Sequence, residues 1–284
     1  MYEVGTTATA RSWDYSRSRV GGSGLRYPDD EVPGFEAMLD DLYDRQDVLA
    51  RALLGAFAEM FELPPGTFTT MFEAGDLGTI RLINYPGNEG AGAGTEAGTD
   101  AGIEAGEEEG RSAAAAAATA DQEGRVAAAN FGISAHTDFE AFTLMHQDAP
   151  GLQFIHRGTG EWVEAPVRAG EFVVTVGDIL ERFTNGVLKA TPHRVLNTVH
   201  ARHSIIRFNA VAPNTMVAPL PAFVSVESPA KYTPVTMERH METTLANLAL
   251  GLGSWDGDRN VSTSATYVYD DDDDDDDDDA RMRR

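Results

Sequence analysis

Apolar residues recur at helical spacing over only two parts of this chain. From Pro33-Gly34 onward, Phe35, Met38, Leu39, Leu42, Leu49, Leu53, Phe57 and Met60 form one apolar stripe, with Asp40, Asp41, Asp44, Arg45, Asp47, Arg51 and Glu59 on the other faces. The pattern predicts a long helix over 35–63 that Pro64-Pro65-Gly66 stops. Thr236 to Leu250 reads as a shorter closing helix, ended near Gly251-Leu252-Gly253. Between them the period shortens to that of strands. Phe142–Met145, Leu152–Ile155, Trp162–Ala165, Glu171–Val176, His193–Val199 and Ser204–Val211 are short apolar runs separated by glycines and by Asn185-Gly186. Short strands with glycine turns suggest a mainly β chain with flanking helices, its core a sandwich or barrel of jelly-roll type. Residues 1–33 are polar and rich in glycine and serine, without persuasive periodicity.

Two segments fit no element. Glycine and alanine make up more than half of Gly87–Asn130, which has only Ile103 and Val126 as large aliphatics and reads as a long loop. Asp270–Asp279 is an unbroken aspartate run, which repels itself and reads as a solvated tail. The expected organisation is therefore a poorly patterned segment at 1–31, a helix and strand packing on the core at 32–86, and a low-complexity insert at 87–130. The core follows at 131–222, a helical extension at 223–262 and the acidic tail at 263–284.

The insert and the tail carry more than half of the net charge of −24, and the remainder is ordinary for a soluble domain. That charge argues against nucleic acid or an anionic membrane as partner. No apolar run reaches the roughly 18 residues of a membrane span, and the start of the chain lacks the apolar stretch of a secretory signal. The expectation is a soluble, cytoplasmic protein acting on a small molecule. Having no cysteine excludes disulfides, thiolate-bound zinc, iron–sulfur clusters and cysteine nucleophiles. Any metal must sit on His, Asp or Glu.

One such set is present. His136-Thr137-Asp138 is a His-x-Asp pair, and in a strand residues two apart project to the same face. His193, at the head of another strand, offers a second imidazole. Two histidines and a carboxylate on one face of an octahedron are the ligand set of non-haem Fe(II) oxygenases. Taken alone the triplet is better read as packed or solvated side chains. A second cluster changes that. Arg202 and Ser204 share one face at the head of a strand, which continues as an apolar wall through Ile206 and Phe208. A guanidinium beside a hydroxyl suits a carboxylate, and a buried arginine without an anion is costly. Arg207 has the opposite parity and is expected to face outward. Asp178 reads as a turn residue, and His146, His156, His200, His203 and His240 as surface or packing histidines.

In order along the chain, His136-Thr137-Asp138, Leu144-Met145-His146-Gln147-Asp148, Gly151-Leu152-Gln153, Gly160-Glu161-Trp162, Gly177-Asp178, Thr184-Asn185-Gly186, His193-Arg194-Val195 and Arg202-x-Ser204 resemble the isopenicillin N synthase-like family of Fe(II)/2-oxoglutarate-dependent dioxygenases. Arg81-Leu82-Ile83-Asn84-Tyr85-Pro86 looks like that family's Arg-Leu-x-x-Tyr-Pro strand, and Ser228-Pro229-Ala230-Lys231-Tyr232 also fits. Residues 1–31 do not match the strand and helices with which the family opens. The resemblance implies a double-stranded β-helix (jelly-roll) core preceded by a long helix and followed by a shorter one. It implies His136, Asp138 and His193 as Fe(II) ligands, with Arg202 and Ser204 on the distal carboxylate of 2-oxoglutarate and Tyr85 near its other end. It further implies a dioxygenase that uses 2-oxoglutarate and O2 to hydroxylate, desaturate or cyclise a small organic molecule, releasing succinate and CO2. The alternatives are an oxidase of the isopenicillin N synthase type that dispenses with 2-oxoglutarate, and a non-catalytic scaffold on the same fold. The residues set neither the substrate nor the oligomeric state.

Overall fold

A computed structural model describes residues 10–16, 27–72, 78–87, 131–198 and 200–249. The Gly/Ala-rich stretch from 88 to 130 and the aspartate tail lie outside the described residues. Two antiparallel sheets carry the fold. The larger holds five strands in the order β1 (Arg11–Ser16), β2 (Thr79–Tyr85), β9 (Arg202–Asn209), β4 (Phe142–Gln147) and β7 (Val173–Val176). The smaller holds β3 (Phe131–His136), β8 (His193–Leu196), β5 (Leu152–Ile155) and β6 (Trp162–Glu164). A two-stranded pair, β10 (Met216–Val217) with β11 (Val235–Thr236), lies beside them. Ile83, Tyr85, Met145 and Ile206 of the larger sheet pack with Leu152 and Val195 of the smaller, so the two sheets close on each other as a jelly roll.

The expected strands are present with small shifts at their ends, because period-two alternation puts one face of each on a core. The segment before residue 33 is the correction. Arg11–Ser16 is a strand, paired antiparallel with β2 from Arg11–Asn84 to Ser16–Thr79. Its alternation, Trp13 and Tyr15 against Ser12, Asp14 and Ser16, is too short to stand out in a glycine- and serine-rich background. Trp13 and Tyr15 join a core with Tyr27, Phe35, Leu39, Tyr43 and Ile80.

Helix α1 (Phe35–Met60) covers the outer face of the larger sheet. Its buried line runs through Leu39, Tyr43, Gln46, Ala50, Leu54 and Ala58. Leu49, Leu53 and Phe57 of the predicted stripe flank that line, while Met38 and Met60 are exposed. The small side chains Ala50 and Ala58 let the helix lie close to the sheet, so the seam runs over them and the larger residues pack to the side. The same cover corrects the expectation for Arg207. It points away from the sheet interior but not into water: it is 1% exposed, with its guanidinium carbon 3.6 Å from the centroid of the Tyr43 ring. Helix α2 (Asp178–Phe183) follows β7, and helix α3 (Met237–Ala249) closes the described chain. Ile179, Leu180, Phe183 and Met237 complete the core beneath α1.

Candidate metal centre and carboxylate pocket

His136 and His193 are register partners on β3 and β8, with ring centroids 4.2 Å apart. Each imidazole is fixed through Nδ1. His136 Nδ1–H donates to the Ser134 carbonyl at 2.8 Å, and His193 Nδ1–H donates to the Thr191 carbonyl at 2.9 Å. A carbonyl only accepts, so each ring carries its proton on Nδ1 and presents the lone pair of Nε2. Both Nε2 atoms face Asp138 Oδ1, at 3.8 and 3.6 Å. One ligand atom from each of the three residues lies within 4.8 Å of the others.

Asp138 does not sit in a strand, as the His-x-Asp spacing suggested. Strand β3 ends at His136, and Asp138 belongs to the turn that follows. Its direction is set from the other sheet. Thr143 Oγ1 on β4 donates to Asp138 Oδ2 at 2.6 Å, and Thr175 Oγ1 on β7 donates to the same oxygen at 3.2 Å. Oδ1 is thereby left for the histidines. The turn is bolted to the start of α2: Gly177 N–H donates to Ala141, Asp178 N–H to Asp138 and Ile179 N–H to Glu140. A Cβ on Gly177 would stand 2.3 Å from the Glu140 carbonyl oxygen, so only glycine permits this approach. Asp178, expected as a turn residue, opens α2 at this junction.

Burial, and then the neighbouring His193, push the His136 imidazole down to about 4, although part of the side chain reaches solvent. Without a metal it is neutral at pH 7, with no proton to displace. Two residues past Asp138, Glu140 is pushed up to about 8, by burial first and by the Asp138 carboxylate second. A donor set of two imidazoles and one carboxylate without thiolate fits a divalent transition metal.

Arg202, Ser204 and Tyr85 come together on the inner face of the larger sheet, where Tyr85 pairs with Arg202 and Ile83 with Ser204. All three are buried. Arg202 donates through Nε to the Ala149 carbonyl at 3.1 Å and through Nη2 to Gln147 Oε1 at 2.8 Å. Its guanidinium carbon lies 4.8 Å from the centroid of the Tyr85 ring. Arg202 Nη1 and Tyr85 Oη are buried with no hydrogen-bond partner among the described residues. Burial raises the Tyr85 phenol to about 12, so it keeps its proton. Strand β3 closes over this pocket at Gly132, where a Cβ would meet the Tyr85 ring at 2.7 Å.

Of the candidate site residues, His136, Asp138 and His193 form one cluster, and Arg202, Ser204 and Tyr85 form a second on the inner face of the larger sheet. Sequence reasoning missed their supports, Thr143, Thr175 and Gln147. Their signal was present: all three are polar residues at inward parity on strands that otherwise turn apolar side chains to that face. Of the histidines read as surface or packing residues, His156, His200 and His203 are exposed, while His146 is partly buried and His240 is buried.

The profile of the family described as the 2OG-Fe(II) oxygenase superfamily matches residues 119–210. The chain is 37% identical over 111 residues to the 2-oxoglutarate-Fe(II) type oxidoreductase hxnY of Emericella nidulans, a match over 38% of this chain and 32% of that protein. It is 26% identical over 251 residues to the 2-oxoglutarate-Fe(II) type oxidoreductase ppzD of Metarhizium rileyi, covering 83% of this chain and 62% of that one. The chain thus spans less than two thirds of these relatives. Among solved structures, full-length Neurospora crassa T7H in complex with alpha-KG superposes with a TM-score of 0.66 at 21% identity, over 84% of this chain and 66% of that one. That is a likeness of fold. The jelly roll, the inward histidine–aspartate–histidine cluster and the family match agree, and the chain carries a 2OG-Fe(II) oxygenase superfamily domain.

Proposed function

We propose that this chain is a non-haem Fe(II) and 2-oxoglutarate-dependent dioxygenase of a small organic molecule, with His136, Asp138 and His193 as iron ligands. The observation that carries the reading is the pair of orphaned polar atoms, Arg202 Nη1 and Tyr85 Oη, buried on the sheet face that also carries Thr143 and Thr175, the partners of Asp138. Leaving a buried donor unpaired costs about 1–3 kcal/mol, more for a charged group. Two such donors on one face call for an anionic acceptor, and the distal carboxylate of 2-oxoglutarate answers both. Tyr85, expected near the other end of the co-substrate, is read at the Arg202 end because the two residues are register partners with ring and guanidinium 4.8 Å apart. Ser204, paired in register with Ile83 on the same face, adds a hydroxyl.

With iron bound, the centre supplies oxidising chemistry in which 2-oxoglutarate and O2 yield succinate and CO2 while the substrate is hydroxylated, desaturated or cyclised. The chain's own part is positioning. The Nδ1–carbonyl bonds hold both imidazoles in the ligating tautomer, and the two threonine hydroxyls aim the Asp138 oxygen. Gln147 and the Ala149 carbonyl hold the Arg202 fork still, so that little rotamer freedom is lost when the co-substrate docks. Ile83, Met145 and Ile206 line the inner face and exclude water from it. A cytoplasmic setting and a small-molecule partner accord with the net charge of −24, which disfavours polyanions.

Anaerobic titration of the protein with Fe(II) and then 2-oxoglutarate tests the reading. A visible charge-transfer band is expected, followed by succinate on admission of oxygen. Arg202→Ala should bind iron as before and require roughly 100-fold more 2-oxoglutarate, the loss of a charge-assisted pair. A protein that forms no band, or whose oxygen uptake ignores 2-oxoglutarate, would overturn it.

A further inference from the structure

The inner face of the larger sheet carries a second arginine. Arg81 is the register partner of Ile206 on β9 and of Asp14 on β1, so it shares the face that bears Tyr85, Ile83 and Ser204. It stands four residues before Tyr85, about 13 Å along the strand from the Arg202 end. Phe208, over whose ring the guanidinium lies, is the register partner of Thr143, whose hydroxyl holds Asp138, so Arg81 stands at the triad end of the wall. Arg81 donates through Nε and Nη2 to the two oxygens of Asp14, each at 2.7 Å. The guanidinium carbon lies 5.3 Å from the centroid of the Phe208 ring. Nη1 makes no hydrogen bond among the described residues.

Asp14 decides what this arginine can recognise. A lone guanidinium on the wall would select a carboxylate, as the chemistry at Arg202 does. Here the wall supplies its own carboxylate in the two-pronged geometry, and the pair has no net charge. An incoming anion would have to displace Asp14 or crowd against it and against Asp138, which is a like-charge penalty. A neutral carbonyl oxygen can accept from Nη1 and suffers neither. The neighbouring wall, Phe208, Ile206 and Met145, is apolar.

We propose that Arg81, masked by Asp14 and backed by Phe208, selects the substrate, and that it takes a neutral carbonyl compound such as a lactam or lactone in preference to an anion. This rests on the dioxygenase reading. The test is calorimetric titration, under nitrogen, of the protein loaded with Fe(II) and 2-oxoglutarate. The probes are 2-quinolone against quinoline-2-carboxylate, and 2-piperidone against cyclohexanecarboxylate. At least one lactam is expected to bind ten times or more tightly than its carboxylate counterpart. Arg81→Leu should cost that lactam at least tenfold, while Arg81→Gln, which keeps an uncharged donor, should hold it within about threefold. Asp14→Asn should swing the preference at least tenfold toward the carboxylate. The charge-transfer band is expected to persist in all three variants.

The proposal is overturned if no lactam binds, if Arg81→Gln and Arg81→Leu lose affinity alike, or if Asp14→Asn leaves the preference unmoved with the band intact. A band missing from the unaltered protein would instead strike the dioxygenase reading itself.

Discussion

Asp138 has two oxygens, and only one is turned toward the histidines because Thr143 and Thr175 both donate to the other. A carboxylate free to rotate would offer either oxygen, or both, and its ordering would be charged against the metal each time it bound. The hydroxyls bear that ordering in advance. Partners of this kind, one shell behind the ligands, typically change metal affinity by about 10–100-fold. Thr143→Val keeps the branched shape and removes the shorter bond, so iron affinity should fall within that range while the melting temperature stays close to that of the parent. Thr143→Ser should restore most of it. Fe(II) titration read by the 2-oxoglutarate band separates the two variants, and equal affinities for Val and Ser would mean that the hydroxyl does not orient the ligand.

At the scale of elements, the turn between β3 and β4 and the turn between β7 and α2 are built against each other. Gly177 is the contact point, since its missing Cβ is the room in which the Glu140 carbonyl sits. Gly177→Ala should push the Asp138 turn away and weaken iron binding at least tenfold, with about 1–3 kcal/mol lost in urea unfolding for the forced backbone shift. An unchanged metal affinity would show that the turn has slack. What could be read in advance at this scale follows from how many residues carry each signal. Strands β4, β5, β8 and β9 fall in apolar runs of strand length, and α1 repeats its apolar spacing over about seven turns, so their existence was legible. The proposed ligands His136, Asp138 and His193 and the proposed anchors Arg202 and Ser204 stand out for a different reason, as chemically scarce residues at or near strand ends. Strand β1 was not, with only Trp13 and Tyr15 to mark it. The His-x-Asp spacing points to a strand for Asp138 because a spacing of two fits both a strand and the tight turn that is present. The seam of α1 was misplaced because Ala50 and Ala58 carry little hydrophobic signal yet decide how near the helix lies. Parity assigns Arg207 to the outer face but says nothing about what covers that face, and Tyr43 of α1 covers it.

Across the whole molecule, the interior of the jelly roll is rich in buried polar residues, those of the proposed site among them. Arg202, Gln147, Tyr85, Thr143, Thr175, Asp138 and His193 are buried there, and the apolar cluster between the sheets is small. The larger core lies outside the sandwich, where α1, α2 and α3 cover the outer face of the larger sheet. The main apolar core thus lies on one side of the sheet and the proposed site on the other, and α3 reaches across to the Asp138 turn. His240 on α3 is buried and its Nε2–H donates to the Phe139 carbonyl at 3.1 Å, next to the Asp138 turn. Burial, and then the charge of Arg182, push this imidazole from 6.5 down to about 4. Because the folded value lies below the unfolded one, the unfolded chain takes up the proton first as the pH falls. Stability is unaffected by this group above about 6.5, erodes between there and about 4, and has lost roughly 3 kcal/mol once the lower value is reached. His240→Gln keeps an N–H donor for Phe139 and removes the titration. Urea midpoints for the metal-free proteins should therefore run close together at pH 7.5 and separate toward pH 4.5, with the variant the more stable on the acid side. Parallel curves would show that the imidazole takes up its proton in the fold as readily as in the unfolded chain, and so is not held neutral beside Phe139.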